Sequence, residues 1–145
     1  MIRDFLDTSV FVGAFWGDHV DHESSLEIFA QARKSVTACS AHSLAEVYAV
    51  MTALPVRPLI SPDQVLLFIE QIRDKTTIVA LDEAEYVSAM RAASELAVVG
   101  GRIYDFLLLA AARKIDPKNI YTWNVKHFRD LAPDWEKRVR TPKQV

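Results

Sequence analysis

A single cysteine, Cys39, leaves the chain without an internal disulfide, which fits a reducing compartment. Long apolar stretches are missing too. The longest, Phe106 to Ala112, is seven residues, against the roughly 20 that a membrane-spanning helix needs. The N-terminus carries Arg3, Asp4 and Asp7 where a secretory leader requires an apolar run, so the expectation is a cytoplasmic protein with no membrane partner. Internal repeats, low-complexity tracts and domain linkers are absent as well. Half of the 145 residues are apolar, enough for one domain over residues 1–145 with a substantial core.

Charge of one sign is also scarce, with a formal net charge of −2, and an even spread would argue against a nucleic-acid binder. The spread is uneven. Residues 1–101 hold 7 Lys and Arg against 14 Asp and Glu, whereas residues 102–145 hold 10 against 5. The C-terminal third can therefore offer a basic surface to a polyanion, although a lopsided solvated surface would give the same count.

Taken in order, Ile2, Phe5 and Leu6 predict a short buried strand that ends at Asp7-Thr8-Ser9. Trp16 to Asp21 reads as a loop, and Asp21 as the N-cap of a helix running towards Lys34. Ser35 to Cys39 is a second strand. Ser43-x-x-Glu46 has the spacing of a capping box ahead of an apolar helix face, and Ser61-Pro62-Asp63-Gln64 starts another helix. Thr77 to Ala80 is a third strand, followed by a helix capped by Asp82 and stopped by Gly100-Gly101. Arg102 to Lys114 is a largely buried helix interrupted by Asp105, Asn119 to Thr122 is a fourth strand, Asn124 a plausible N-cap, and Val139-Arg140 a possible edge strand. Such alternation predicts an α/β fold with a parallel sheet covered on both faces.

Ligands of such sheets bind beyond the carboxyl ends of the strands. Asp7, Glu46 and Asp105 each fall just after a strand or near the start of a helix, and so at one end. Each has an ordinary explanation: a turn or cap for Asp7, the capping box for Glu46, the helix dipole for Asp105. Together they make three mutually repelling carboxylates, an arrangement that makes sense chiefly around a hard cation such as Mg²⁺ or Mn²⁺. Zinc is disfavoured by the single cysteine and by four histidines without ligand spacing.

The segments Leu6-Asp7-Thr8-Ser9, Ala45-Glu46-Val47-Tyr48, Tyr104-Asp105-Phe106 and Tyr121 to Phe128 resemble the motifs of PIN-domain ribonucleases, more closely the VapC-type toxins of toxin–antitoxin pairs. The resemblance covers essentially the whole chain. It implies a three-layer α/β/α sandwich, a Mg²⁺- or Mn²⁺-dependent endoribonuclease acting on RNA, a homodimer and a small cognate antitoxin. Carried over by position, Asp7, Glu46 and Asp105 match the metal-site acids and Asn124 the fourth catalytic position, where an amide brings no charge and favours one firmly held ion over two. Ser9 and Thr122 are candidates to hold the carboxylates in place; Arg102, Lys126 and Arg129 are candidates for phosphate contacts; Tyr48, Tyr104 and Trp123 could stack on bases, with core packing the expected role of Tyr48. A haloacid-dehalogenase-like phosphatase would need a second acid where Ser9 stands. The remaining alternative is a catalytically silent PIN-like module that binds RNA or protein.

Overall fold

A computed structural model describes residues 1–144; the last residue of the expected 1–145 domain lies outside the described residues. Five short parallel strands, β1 (Asp4–Leu6), β2 (Thr37–Ser40), β3 (Thr77–Val79), β4 (Asn119–Tyr121) and β5 (Val139–Arg140), form one sheet in the order β3-β2-β1-β4-β5. The chain therefore leaves β1 in one direction and returns on its other side with β4. That reversal opens a crevice at the carboxyl ends of β1 and β4, where side chains from both can meet.

Helices α1 (Thr8–Phe15), α2 (His22–Ala30), α3 (Ala41–Thr52) and α4 (Pro62–Lys75) cover one face, and α5 (Glu83–Glu95), α6 (Arg102–Arg113) and α7 (Val125–Leu131) the other. Alternation along the strands separates two cores. Phe5, Ala38, Ile120 and Val139 face α6 and α7, while Leu6 and Cys39 join Val10, Phe11, Val47 and Ile72 on the opposite side. The result is the three-layer α/β/α sandwich that the sequence predicts.

Local chemistry sets most boundaries. Ser61 accepts from the Gln64 amide with Pro62 at the first position of α4, and Asp82 with Glu85 forms a complete capping box on α5. Two expectations change, and one unassigned stretch is resolved. The segment after Asp7, for which the sequence predicts no element, is a helix, α1, although its Val- and Phe-rich sequence lacks helical propensity. α2 stops at Ala30, short of Lys34. α5 ends at Glu95 and Ala97 turns left-handed at φ 55°, so Gly100 and Gly101 lie in the connection to α6 rather than at the helix end.

Candidate active site

Asp7 leaves β1 and caps α1. Its Oδ2 accepts from the Ser9 amide (3.3 Å), the Ser9 hydroxyl (2.7 Å) and the Thr122 hydroxyl (2.8 Å). The residue is only 2% exposed, and burial raises its pKa despite these hydrogen bonds. Ser9 and Thr122 also fix the strand β4 exit: Ser9 Oγ accepts from the Trp123 amide at 3.0 Å and Thr122 Oγ1 from the Asn124 amide at 3.0 Å. One buried carboxylate thus ties the ends of two neighbouring strands together.

Glu46 is held from a different direction. Thr8 Oγ1 lies 2.9 Å from both Glu46 Oε1 and Ser43 Oγ. A hydroxyl has one proton and an ionised carboxylate only accepts, so Thr8 donates to Glu46 and the buried Ser43 donates to Thr8. Ser43 is therefore no helix cap. α3 begins two residues earlier with Ser40 as N-cap, its hydroxyl accepting from the His42 amide at 3.1 Å, which removes the capping-box explanation for Glu46. The side chain is half-buried and its pKa is raised, first by burial and then by the Asp7 charge, against the opposing effects of Thr8 and His42.

Asp105 lies in the first turn of α6. Burial, then the charges of Asp7 and Glu46, push its pKa up to about 6, with His127 and Arg102 pulling the other way. Asp7, Glu46, Asp105 and Asn124 all line one open cavity of about 280 Å³, together with Thr8, Ser9 and His19. Asn124 precedes α7 but makes no side-chain capping bond, so its amide is left to the cavity. None of the three acids forms an ion pair with Lys or Arg among the described residues.

The donor set, three unpaired carboxylates and one amide, is all oxygen and fits a hard divalent cation. As folded, no three His, Cys, Asp or Glu side chains among the described residues are gathered tightly enough to hold an ion already. Thr8 retains Glu46, Ser9 and Thr122 retain Asp7, and without a cation like charges have no reason to close on one point.

The proposed phosphate contacts divide. Arg102 and Lys126 are exposed, but Arg129 donates to the carbonyls of Glu136 (3.2 Å) and Val139 (2.9 Å) and secures the approach to β5 instead. Tyr48 is 39% exposed rather than packed in the core, and Tyr104, 50% exposed, stacks on His42 with ring centroids 5.4 Å apart. Trp123 donates from Nε1 to Ser25 Oγ at 2.9 Å. Sequence reasoning missed Thr8 and Ser43 as supports of Glu46, and His19 in the cavity wall. Thr8 was legible as the first of the two hydroxyls after Asp7; nothing local marked Ser43 as other than a cap.

Two comparisons bear on this arrangement. The PIN-domain family model matches residues 5–132. The sequences named Ribonuclease VapC40 from Mycobacterium tuberculosis, strains CDC 1551 / Oshkosh and ATCC 25618 / H37Rv, are each 30% identical over 112 residues, covering 77% of this chain and 80% of theirs. With the family model spanning most of the chain and its acids on one crevice of a three-layer sandwich, the protein belongs to the PIN-domain family, alongside ribonucleases of the VapC type.

Proposed function

We propose that the chain is a divalent-metal-dependent endoribonuclease that hydrolyses RNA phosphodiester bonds as the toxin of a toxin–antitoxin pair, working as one PIN domain. The observation that carries this reading is the meeting of Asp7, Glu46, Asp105 and Asn124 on one cavity with no basic side chain paired to the acids. The ribonuclease name of its relatives supports the same chemistry.

Asp7 and Asp105 are the residues that would hold Mg²⁺ or Mn²⁺, with Glu46 completing the set or orienting the attacking water. A bound ion of this kind supplies positive charge against the scissile phosphate and acidifies a coordinated water. The chain's own residues do the rest. Ser9 and Thr122 fix Asp7, Thr8 fixes Glu46, and Asn124 offers an uncharged amide that can hold a water or a substrate oxygen. With three carboxylates and no fourth, one ion is favoured over two. Arg102 and Lys126, exposed close to Asp105 and Asn124 in sequence, suit phosphate contacts along the strand.

A homodimer and a small antitoxin partner complete the reading. Exposed apolar side chains support both: Tyr48, Val50, Leu66 and Leu67 on α3 and α4, and Met90, Leu96 and Val99 on and after α5. No helix among the described residues is long and apolar enough to cross a membrane.

The test is cleavage of structured RNA by purified protein with Mg²⁺ or Mn²⁺ and with EDTA. Wild type is expected to cut only with metal, and Asp7→Asn to remain folded while losing cleavage and metal binding together. Equal cleavage by Asp7→Asn would refute the assignment of the site. Light scattering reads the dimer, and co-expression with the product of an adjacent short reading frame reads the antitoxin.

A further inference from the structure

A doubly covered parallel sheet is expected to be apolar on both faces. Here one face carries polar side chains on four neighbouring strands. The register aligns Thr37 with Asp4 and Asp4 with Asn119, and two residues further along β4 it aligns Tyr121 with Arg140. These side chains, with Arg3, surround a second cavity of about 280 Å³ closed on the helical side by Ile28, Gln31 and Ala32 at the end of α2. It shares no lining residue with the acidic cavity.

Its charges do not cancel. Asp4 is already engaged on both oxygens, Oδ1 by the Asn119 amide at 2.8 Å and Oδ2 by the Arg3 guanidinium at 2.9 Å. Arg140 has no carboxylate partner among the described residues. Among the described residues the one hydrogen bond of its side chain is a long one from Nη2 to the Lys137 carbonyl, 3.3 Å, and its buried Nε–H has no acceptor. The same guanidinium lines the cavity and brings to it a positive charge that no carboxylate among the described residues neutralises. The charges of Arg140, Arg3 and Asp4 all reach the Tyr121 phenol, which places the two guanidinium groups about one small space.

We propose that this cavity binds a small tetrahedral oxyanion, a phosphate group, with Arg140 as its principal donor and Arg3 at its rim. Fork-shaped guanidinium donors match phosphate oxygens, and the volume holds a phosphate with little attached to it rather than a whole nucleotide. The phosphate can be free inorganic phosphate or the terminal phosphate of a nucleic-acid strand.

The experiment is calorimetric titration of the full-length chain with inorganic phosphate in EDTA, which keeps the acidic cavity metal-free. Saturable 1:1 binding is expected, weakened about tenfold or more in Arg140→Gln, weakened less in the exposed Arg3→Gln, and unchanged in Glu46→Gln. Displacement of phosphate by a 5′-phosphorylated dinucleotide identifies a strand end as the ligand, and displacement by free phosphate analogues alone identifies the free anion. Absence of saturable binding overturns the proposal, as does wild-type affinity in a folded Arg140→Gln variant. Should that variant not fold, wild-type affinity in Arg3→Gln does so by itself.

Discussion

Asp105 is the acid whose replacement should separate stability from activity. Its carboxyl titrates near 6 in the folded chain against 3.8 as the ordinary value, because burial and then the charges of Asp7 and Glu46 disfavour its ionised form. A raised carboxyl pKa means that the folded state binds the proton more tightly than the unfolded state, so this group's contribution to stability falls as pH climbs from about 4 to about 6 and stays low above that. Raising a carboxyl from 3.8 to about 6 corresponds to about 3 kcal/mol for a fully shielded group; Asp105 is only half-buried, and solvent screening reduces this to about 1 kcal/mol. Asp105→Asn removes the charge and keeps the shape. In EDTA at pH 8 the variant should therefore be more stable than wild type by about 1 kcal/mol, or about 3 °C in melting temperature for a chain of this size. The gain should shrink to roughly half at pH 5 and disappear near pH 4. Adding Mg²⁺ or Mn²⁺ at pH 8 should stabilise wild type by about 1.4 kcal/mol at ten times the dissociation constant, and the variant much less, with cleavage lost. Urea unfolding followed by tryptophan fluorescence in EDTA at pH 8, 5 and 4, and with metal at pH 8, reads every arm. A variant no more stable than wild type in EDTA at pH 8 would refute the strained state assigned to this carboxyl.

Other replacements test the supports. Thr122→Val keeps the shape of a fully buried residue but removes a donor to Asp7 and the acceptor of the Asn124 amide, and should cost about 1–3 kcal/mol with faster hydrogen exchange at Asn124. Ser43→Ala and Ser40→Ala should each lose about 1 kcal/mol, but only Ser43→Ala should slow cleavage, since Ser43 acts through Thr8 on Glu46 while Ser40 merely caps α3; equal cleavage in the two would show that Thr8 needs no support. Gly13→Ala would bring a methyl carbon within 2.9 Å of Ser25 Cβ, a contact that must push α2 from α1, and should cost about 2 kcal/mol or more by thermal melting. Because Ser25 also accepts from Trp123 Nε1, the same variant should shift the tryptophan emission.

The layers and strands of this fold were legible because burial on a doubly covered sheet forces short apolar strands between amphipathic helices, and caps such as Ser61 and Asp82 mark themselves by spacing alone. α1 was not legible. Thr8–Phe15 contains the valines and phenylalanines of a strand, and only its packing against α2, with Phe11 and Phe15 edge-on to Phe29, makes a helix the better solution. Arg129 shows a further limit: composition identified it as a cation, but only the path of the chain into β5 reveals that two carbonyls have claimed it.

The candidate site divides along the same line. An acid at the end of a strand or the start of a helix can be read from sequence because its neighbours fix the element it ends or begins. Some of the hydroxyls that hold these acids are local, as Ser9 is to Asp7, but others act across 35 to 115 positions of chain, from Ser43 through Thr8 and from Thr122 to Asp7, and no local pattern encodes those. The same spacing, Ser-x-x-Glu, is satisfied by a helix cap and by the buried relay through Thr8, and the choice rests with Ser40, which reaches the free amides of α3 first. Once Ser40 has capped the helix, Ser43 and Glu46 are free to bond with Thr8, and Glu46 is left as a half-buried carboxylate with a hydroxyl partner and no Lys or Arg ion pair among the described residues. The second cavity follows the same logic with the sign reversed: Asn119 and Arg3 saturate Asp4, and among the described residues Arg140 is left as the charge without a carboxylate partner.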